Sequence, residues 1–131
     1  YVYIVHAFQD APYTCNDKNV IGLIDVSPEQ WLGLIHNASE IFTDSFHGTA
    51  FSINLHTPFY VFDRNYGSAH SQSSRVVSLL KMLQLLERYE PAMESMLDIN
   101  VDFEKSDFIL KSEREVARKY LKESLAACQI D

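Results

Sequence analysis

The apolar positions of this chain follow two different spacings, and the two alternate along its length. Four runs are rich in β-branched and aromatic residues and poor in charge, which favours buried strands. They are residues 1–8, 20–24, 40–43 and 59–62. Four other stretches repeat apolar residues every three or four positions, as amphipathic helices do. They are residues 28–38, 48–56, 74–86 and 112–125. This order of elements predicts an α/β fold with a Rossmann-like, doubly wound parallel sheet of about four strands.

Two of the predicted helices begin with capping signals. Ser27 precedes Pro28, and Gln30 follows at the spacing of a capping box, so we expect a helix to begin at Pro28. Residues 112–115 read SERE, and the same pattern predicts the start of a terminal helix there. Apolar and polar residues alternate over residues 97–103, which favours an edge strand or an extended linker.

Residues 40–62 contain a complete strand, turn, helix and strand. The first strand ends at Asp44 and Ser45, which favour turns and helix caps, and we expect a helix to begin near Gly48. In parallel βαβ motifs such a turn lies at the rim of the sheet, where the first amides of the helix point at bound ligands. His47 therefore occupies a position at which α/β proteins commonly carry out their chemistry.

The residues of this turn each have two interpretations. Gly48 and Thr49 can bring a backbone amide and a hydroxyl to a phosphate or carboxylate, or Gly48 can simply relieve crowding between helix and sheet. Asp44 and Ser45 can bind a ligand, but capping of the helix explains them equally well. For His47, general acid and base chemistry competes with a structural hydrogen bond to the backbone.

A polar loop over residues 63–73 follows the last strand of this motif, and loops so placed tend to be functional. Ser73 or Ser74 can cap the helix after it. Arg75 lies in the first turn of that helix, where the helix dipole disfavours a cation, so a nearby anionic ligand would explain its position. Arg64 supplies further positive charge in the loop. The alternatives are a solvated arginine and a flexible lid without specific contacts.

Composition excludes several classes of partner. The 131 residues are 47% apolar, enough for one domain with a real core, and carry a formal net charge of −7. That charge argues against nucleic acid and against an anionic membrane surface, which demand clustered Lys and Arg. No apolar run approaches the roughly 20 residues needed to span a bilayer. Neither the histidines nor Cys15 and Cys128 have the spacing of a metal site, so the cysteines are reduced thiols or a disulfide.

The turn around His47 resembles that of a known protein family. Residues 43–52 read TDSFHGTAFS and residues 58–62 read PFYVF, and this combination resembles the polysaccharide pyruvyl transferase family. Three further segments are similar to that family's carboxyl-terminal region. They are residues 27–29, 74–76 and 113–114. The resemblance covers most of residues 26–125.

The resemblance implies a fold and an activity. Members of the family have two Rossmann-like halves that face a cleft, as in GT-B glycosyltransferases, and transfer the pyruvyl group of phosphoenolpyruvate to a sugar of a surface polysaccharide as a ketal. Residues 1–131 would then form a single Rossmann-like domain, the carboxyl-terminal part of a longer cytoplasmic enzyme. The start of the chain within a strand-like run, without Met, also favours an excised piece. We expect the piece to be inactive alone.

The family likeness also implies partners and site residues. The donor substrate would be phosphoenolpyruvate, with no cofactor and no metal. The acceptor would be a glycan or a lipid-linked sugar, and the missing amino-terminal domain of the same chain would complete the cleft. His47 would be the catalytic acid or base. The residues expected to bind substrate are Asp44, Ser45, Gly48, Thr49, Arg64, Ser74 and Arg75.

One departure from the family pattern keeps other functions open. Well characterised members share an Arg-x-His-Gly pattern, in which the arginine pairs with a substrate carboxylate or phosphate. Here Ser45 stands two residues before His47 and can donate only one neutral hydrogen bond. The alternatives are a GT-B-type nucleotide-sugar glycosyltransferase domain and a non-catalytic glycan-binding relative. The first is weakened because no acidic ribose ligand follows the turn at the usual spacing.

Overall fold

The computed structural model describes residues 1–5, 15–63, 74–92 and 100–128. The chain divides into two compact units, Tyr1–Leu34 and Ile35–Asp131. In the described residues, each unit contains one pair of parallel strands. The predicted α/β class with parallel strands is therefore confirmed.

In the first unit, strand β1 (Val2–Val5) pairs in parallel with strand β2 (Val20–Leu23). The register places Val2 opposite Val20 and Val5 opposite Leu23. Asp17 Oδ1 accepts hydrogen bonds from both the backbone and the side-chain nitrogens of Asn19, and so closes the turn into β2. The strands predicted over residues 1–8 and 20–24 are confirmed at these positions, and residues 6–8 lie outside the described part of the chain.

Helix α1 (Pro28–Asn37) begins where its capping box predicted. Ser27 Oγ accepts a hydrogen bond from Gln30 N–H, and Gln30 Oε1 accepts one from Ser27 N–H, at 3.3 and 2.9 Å. Ser27 Oγ also donates to Glu29 Oε2 at 2.8 Å. A hydrogen bond from the backbone of Glu29 and this hydroxyl hold the pKa of the Glu29 carboxyl below its ordinary value. The reciprocal bonds fix the start of the helix.

The second unit contains the predicted βαβ motif. Strand β3 (Ile41–Thr43) and strand β4 (Phe59–Val61) are parallel, and helix α2 (Phe46–Leu55) connects them. The helix begins at Phe46 rather than near Gly48, because Ser45 has extended backbone angles and caps it. It ends where His56 adopts a left-handed conformation with φ 56°. The predicted strand, turn, helix and strand over residues 40–62 are confirmed.

Small side chains bring α2 close to the sheet. The buried residues of the helix are Gly48, Thr49, Ser52 and Ile53. A Cβ added at Gly48 would lie 2.5 Å from Thr43 Oγ1 of β3, a distance that real Cβ atoms do not show. The hydroxyl of Ser52 donates to the carbonyl oxygen of Gly48 at 2.8 Å, so this buried polar group is satisfied within the helix.

The core of the second unit lies between β4, α2 and helix α3 (Ser74–Met82). Its buried members are Ile53, Phe59, Val61, Val76, Leu80, Leu83 and Leu85. The helix predicted over residues 74–86 ends four residues early, because Gln84 has φ 58° and a short 3₁₀ helix, Leu86–Arg88, follows. Tyr89 then forms a parallel bridge with Val61, and Glu90 N–H donates to Val61 O at 2.8 Å.

Arg88 is the buried cation of this core. The residue is 7% exposed, and the guanidinium lies 5.2 Å from the centroid of the Tyr60 ring. It also donates a hydrogen bond to the carbonyl oxygen of Asn100. These contacts hold the chain before the last helix against β4, a role that no local sequence pattern predicts.

The terminal helix is longer than its capping signal predicted. Helix α4 (Phe103–Ala127) begins after Asp102, whose carboxylate accepts a hydrogen bond from Lys105 N–H, and runs through Ser112 without interruption. The prediction of a start at Ser112 is therefore wrong, as is that of extended chain at Phe103. The apolar residue at 103 packs on the core as the first helical residue, because the acidic cap precedes it. Residues 97–99 lie outside the described part.

Candidate active site

The two parallel strands of the second unit end at one edge, and the candidate site lies there. Thr43 and Val61 are the last residues of β3 and β4, and their parallel register places both carboxyl ends on the same side. Helix α2 begins three residues after Thr43. Free amides at such a helix start, together with its dipole, favour a bound anion.

His47 is the second residue of α2 and is exposed. Its ring meets the edge of the neighbouring Phe46 ring, with centroids 5.9 Å apart and an angle of 85° between the planes. Within the described residues, no hydrogen bond or ion pair joins the His47 imidazole to another side chain. Among the described residues, the imidazole is thus without a polar partner at this edge.

Arg75 lies in the first turn of α3 and reaches the same place. Its guanidinium carbon lies 5.5 Å from the centroid of the Phe46 ring, a cation–π contact worth about 0.5–1 kcal/mol at an exposed site. The contact offsets the unfavourable position of a cation at a helix start. Because His47 and Arg75 contact one phenyl ring, the structure brings an imidazole and a guanidinium together from two helices.

Ser45 organises the turn through its backbone and its hydroxyl. Ser45 Oγ accepts a hydrogen bond from Gly48 N–H at 3.3 Å, and Ser45 N–H donates to Thr43 Oγ1 at 3.0 Å. These bonds make Ser45 a helix cap, the structural interpretation of this residue. In the described part of the chain, the amides of Phe46 and His47 have no hydrogen-bond acceptor. Within the described ranges, two donors of the first turn are therefore without an acceptor next to the strand ends.

Gly48 and Thr49 lie beneath the turn rather than on its surface. Both are buried, and the Thr49 hydroxyl donates to the carbonyl oxygen of Ser45 at 2.9 Å. Gly48 faces Thr43, so its lack of a side chain relieves crowding between helix and sheet. The geometry of these two residues supports the shape of the turn.

The remaining predicted site residues are only partly placed. Asp44 and Ser74 are exposed, Asp44 directly after β3 and Ser74 as the first residue of α3. Arg64 and most of the loop over residues 63–73 lie outside the described residues, so the role of Arg64 stays a prediction. The sequence does not identify Phe46, because no local pattern around it indicates that His47 and Arg75 share its ring.

Several other features of the described chain show no sign of a site. No group of three or more His, Cys, Asp or Glu residues within it could hold a metal ion. Cys15 and Cys128 are exposed, free thiols. No helix among the described residues is long and apolar enough to cross a membrane.

Comparison with known proteins identifies the family of this site. Residues 2–66, about half of the chain, match the model of the polysaccharide pyruvyl transferase family. The match contains β1, β2, α1 and the whole βαβ motif with His47, and it extends further toward the start of the chain than the sequence motifs indicated. No curated protein and no solved structure matches the chain. The family suggested by the turn is confirmed: this chain belongs to the polysaccharide pyruvyl transferase family, which is a family of transferases.

Proposed function

We propose that this chain contributes the donor site of an enzyme that transfers the pyruvyl group of phosphoenolpyruvate to a sugar of a surface polysaccharide, forming a ketal. The observation that carries this proposal is the shared contact of His47 and Arg75 with the Phe46 ring. A group that can move protons and a permanent cation meet beside the open amides of α2. Phosphoenolpyruvate needs both, since it carries a carboxylate, a phosphate and a carbon that must be protonated.

Arg75 takes the place of the arginine that is absent from the turn. The Arg-x-His-Gly pattern to which this turn is compared has its arginine two residues before the histidine, where this chain has Ser45. Ser45 is used as the cap of α2, so it adds no charge to the site. Arg75 brings its guanidinium to the first residue of the same helix from α3, and a guanidinium can bind carboxylate or phosphate oxygens in a bidentate manner.

The reaction requires two protons to move. Two sugar hydroxyl oxygens form bonds to C2 of phosphoenolpyruvate, and the bond from C2 to the phosphate oxygen breaks. One hydroxyl proton ends on the methylene carbon, which becomes a methyl group, and the other leaves with inorganic phosphate. His47 accepts a proton from the attacking hydroxyl and delivers one to the methylene carbon, because imidazole exchanges protons near neutral pH.

Local charge makes this edge suitable for an anion although the chain carries a net charge of −7. The two open amides of α2, its dipole and the guanidinium of Arg75 all present positive charge at one edge. At physiological salt the Debye length is about 8 Å, so distant carboxylates are largely screened. Asp44 is the acidic residue of the turn, and we assign it to orienting the sugar hydroxyls.

The rest of the enzyme follows from the same proposal. The parallel strand pairs and their helices belong to a Rossmann-like half of a GT-B-type enzyme, and a preceding domain of the same protein supplies the other half of the cleft. Arg64 and Ser74 add contacts to the donor phosphate. The acceptor is a glycan or a lipid-linked sugar, the reaction uses no cofactor, and the enzyme works in the cytoplasm.

Ligand binding to the 131-residue chain tests the donor assignment. Isothermal titration calorimetry should detect phosphoenolpyruvate but no nucleotide sugar, such as UDP-glucose, at equal concentration. Arg75→Gln should weaken phosphoenolpyruvate binding roughly tenfold to a hundredfold, the value of a lost charge-assisted hydrogen bond. The matched control is Arg114→Gln, an arginine of α4 that bonds Asn54 instead.

The binding results separate the proposed function from its alternatives. Preference for the nucleotide sugar would assign the site to a glycosyltransferase. Binding of a polysaccharide with no response to either donor would indicate a glycan-binding relative. If both arginine variants lose the same affinity for phosphoenolpyruvate, Arg75 is not part of the binding site. The family assignment would be unaffected.

A further inference from the structure

Helix α4 continues well past the core that its first residues cover. Phe103, Ile109 and Leu110 pack against the buried cluster of the second unit. From residue 111 to residue 127 every side chain except Ser124 is exposed. The exposed residues include large apolar ones. They are Val116 at 64%, Tyr120 at 68%, Leu121 at 56% and Leu125 at 65%.

These apolar residues share one side of the helix. At 3.6 residues per turn, Leu121 and Leu125 are neighbours around the axis, as are Val116 and Tyr120, and the four positions together lie within about half of the helix circumference. The side is continuous with the one that packs on the core nearer the start of α4. Over residues 116–125 the described chain leaves it uncovered, which is unusual for a stripe of this composition.

The same segment concentrates positive charge. Five of the eleven Lys and Arg residues of the chain lie within twelve positions, against three glutamates over residues 111–127. The five are Lys111, Arg114, Arg118, Lys119 and Lys122. Arg118 and Lys122 are four residues apart and line the margin of the apolar side next to Leu125. A chain with a net charge of −7 thus contains a locally basic, amphipathic helix.

We propose that residues 111–127 of α4 bind the surface of an anionic membrane. The helix lies in the headgroup layer, with Tyr120, Leu121 and Leu125 inserted between the lipids. Arg118 and Lys122 extend along the margin to the lipid phosphates, as long basic side chains do at interfaces. The net charge of the chain argued against such a surface, but charges beyond a Debye length act weakly on this segment.

A second copy of the chain is a less suitable occupant. The apolar side from Val116 to Leu125 extends for about 15 Å of helix. Two such segments pair over too short a length to reach the roughly 1,200 Å² that stable interfaces bury. Self-pairing would also bring the basic margins of two copies near each other, whereas anionic lipids neutralise them. The proposal does not depend on the transfer reaction.

Sedimentation with lipid vesicles tests this proposal on the whole 131-residue chain. Vesicles of phosphatidylglycerol should bind the chain, vesicles of phosphatidylcholine should bind it far less, and added salt should release it. The triple variant Arg118→Gln, Lys119→Gln, Lys122→Gln should bind roughly a hundredfold less tightly. A matched triple variant at other exposed lysines, Lys18→Gln, Lys81→Gln, Lys105→Gln, should bind like the parent.

The apolar contribution has its own pair of variants. Leu121→Ser should lower vesicle binding about tenfold or more, while Phe108→Ser, an exposed residue on the opposite side of α4, should leave it unchanged. Circular dichroism establishes that each variant retains its helix content. Equal binding to both lipids, or equal losses in both triple variants, would overturn the proposal. So would a dimer in ultracentrifugation that Leu121→Ser dissociates.

Discussion

Helix α2 has a histidine near each end, and the structure uses the two differently. His47, at the start, is exposed at the carboxyl edge of the strands, and its ring meets the edge of the Phe46 ring. His56, at the end, caps the helix with φ 56°, forms an ion pair with Asp107 of α4 at 2.9 Å and lies on the Phe103 ring. One histidine is left open to a ligand, and the other is occupied by the fold.

The contrast arises from the direction of the helix. Its first amides, at Phe46 and His47, have no acceptor in the described chain and lie at the helix start that follows β3. At the other end, His56 N–H and Thr57 N–H donate to carbonyl oxygens of the last turn, which closes the helix. Two histidines that look alike in the sequence therefore differ in what surrounds them.

Replacing each histidine by alanine should give the largest difference between the two ends of α2, and the difference should be in the transfer rate. In the full-length enzyme, His47→Ala should lower the rate of pyruvyl transfer 10²- to 10⁴-fold, about 3–5 kcal/mol, because a positioned acid and base is lost. The free energy of unfolding should stay within about 0.5 kcal/mol, since His47 is exposed. Phosphate release from phosphoenolpyruvate measures the rate.

His56→Ala is the matched control for this effect. It should retain the transfer rate and lose about 1 kcal/mol or less of stability, because its ion pair is exposed. Thermal unfolding and the same phosphate assay measure both quantities. Similar rate losses in the two variants would show that neither end of α2 holds the catalytic group.

Local sequence signals predict the turn of the candidate site. They do not predict the contact within it between residues that are far apart in the chain. Ser27 with Gln30, and the turn around His47, follow spacings of a few residues, and the structure contains both features. The contact of Arg75 with Phe46 joins two helices through a core that no local pattern describes. The position of Arg75 in a first turn was the signal that it had an unusual neighbour.

Capping patterns alone also failed to place the start of α4. Residues 112–115 have the pattern of a helix start, yet the helix passes through them because Asp102 caps it ten residues earlier. The packing of Phe103 on the core selects the earlier start. Tertiary contacts decide between two acceptable caps, and a single sequence does not record them.

Gly48 tests how α2 is held against the sheet, with Gly33 of α1 as its control and with a smaller effect than the histidines. Gly48→Ala should destabilise the chain by about 1–3 kcal/mol, because the new Cβ meets Thr43 Oγ1 and displaces the acceptor of Ser45 N–H. Gly33→Ala should instead stabilise by about 0.5–1 kcal/mol, since its Cβ meets no atom within 4 Å in helix α1. Urea unfolding measures both changes.

A double variant establishes the cause of the Gly48 effect. Thr43→Ala removes Oγ1 and the methyl group, so Gly48→Ala should cost about 1 kcal/mol less in that background. A cost that is the same in both backgrounds would rule out contact with Thr43 as its origin. Close packing of Gly48 on Thr43 would then not be what positions the start of α2.

Asp107→Asn should have the smallest effect and tests the closed end of α2. The pair with His56 is about half exposed on both sides, so its loss should cost at most about 1 kcal/mol, and less as salt is added. Lys119→Gln, which breaks an exposed pair within α4 itself, is the control and should change unfolding by still less. Asparagine still donates and accepts hydrogen bonds, so the His56 ring stays on Phe103. A loss of several kcal/mol in the free energy of unfolding would mean that the contact between His56 and Asp107, rather than apolar packing of Phe103 and Leu110, fixes α4 to the core. The two ends of α2 would then differ in their contribution to stability as well as in their chemistry.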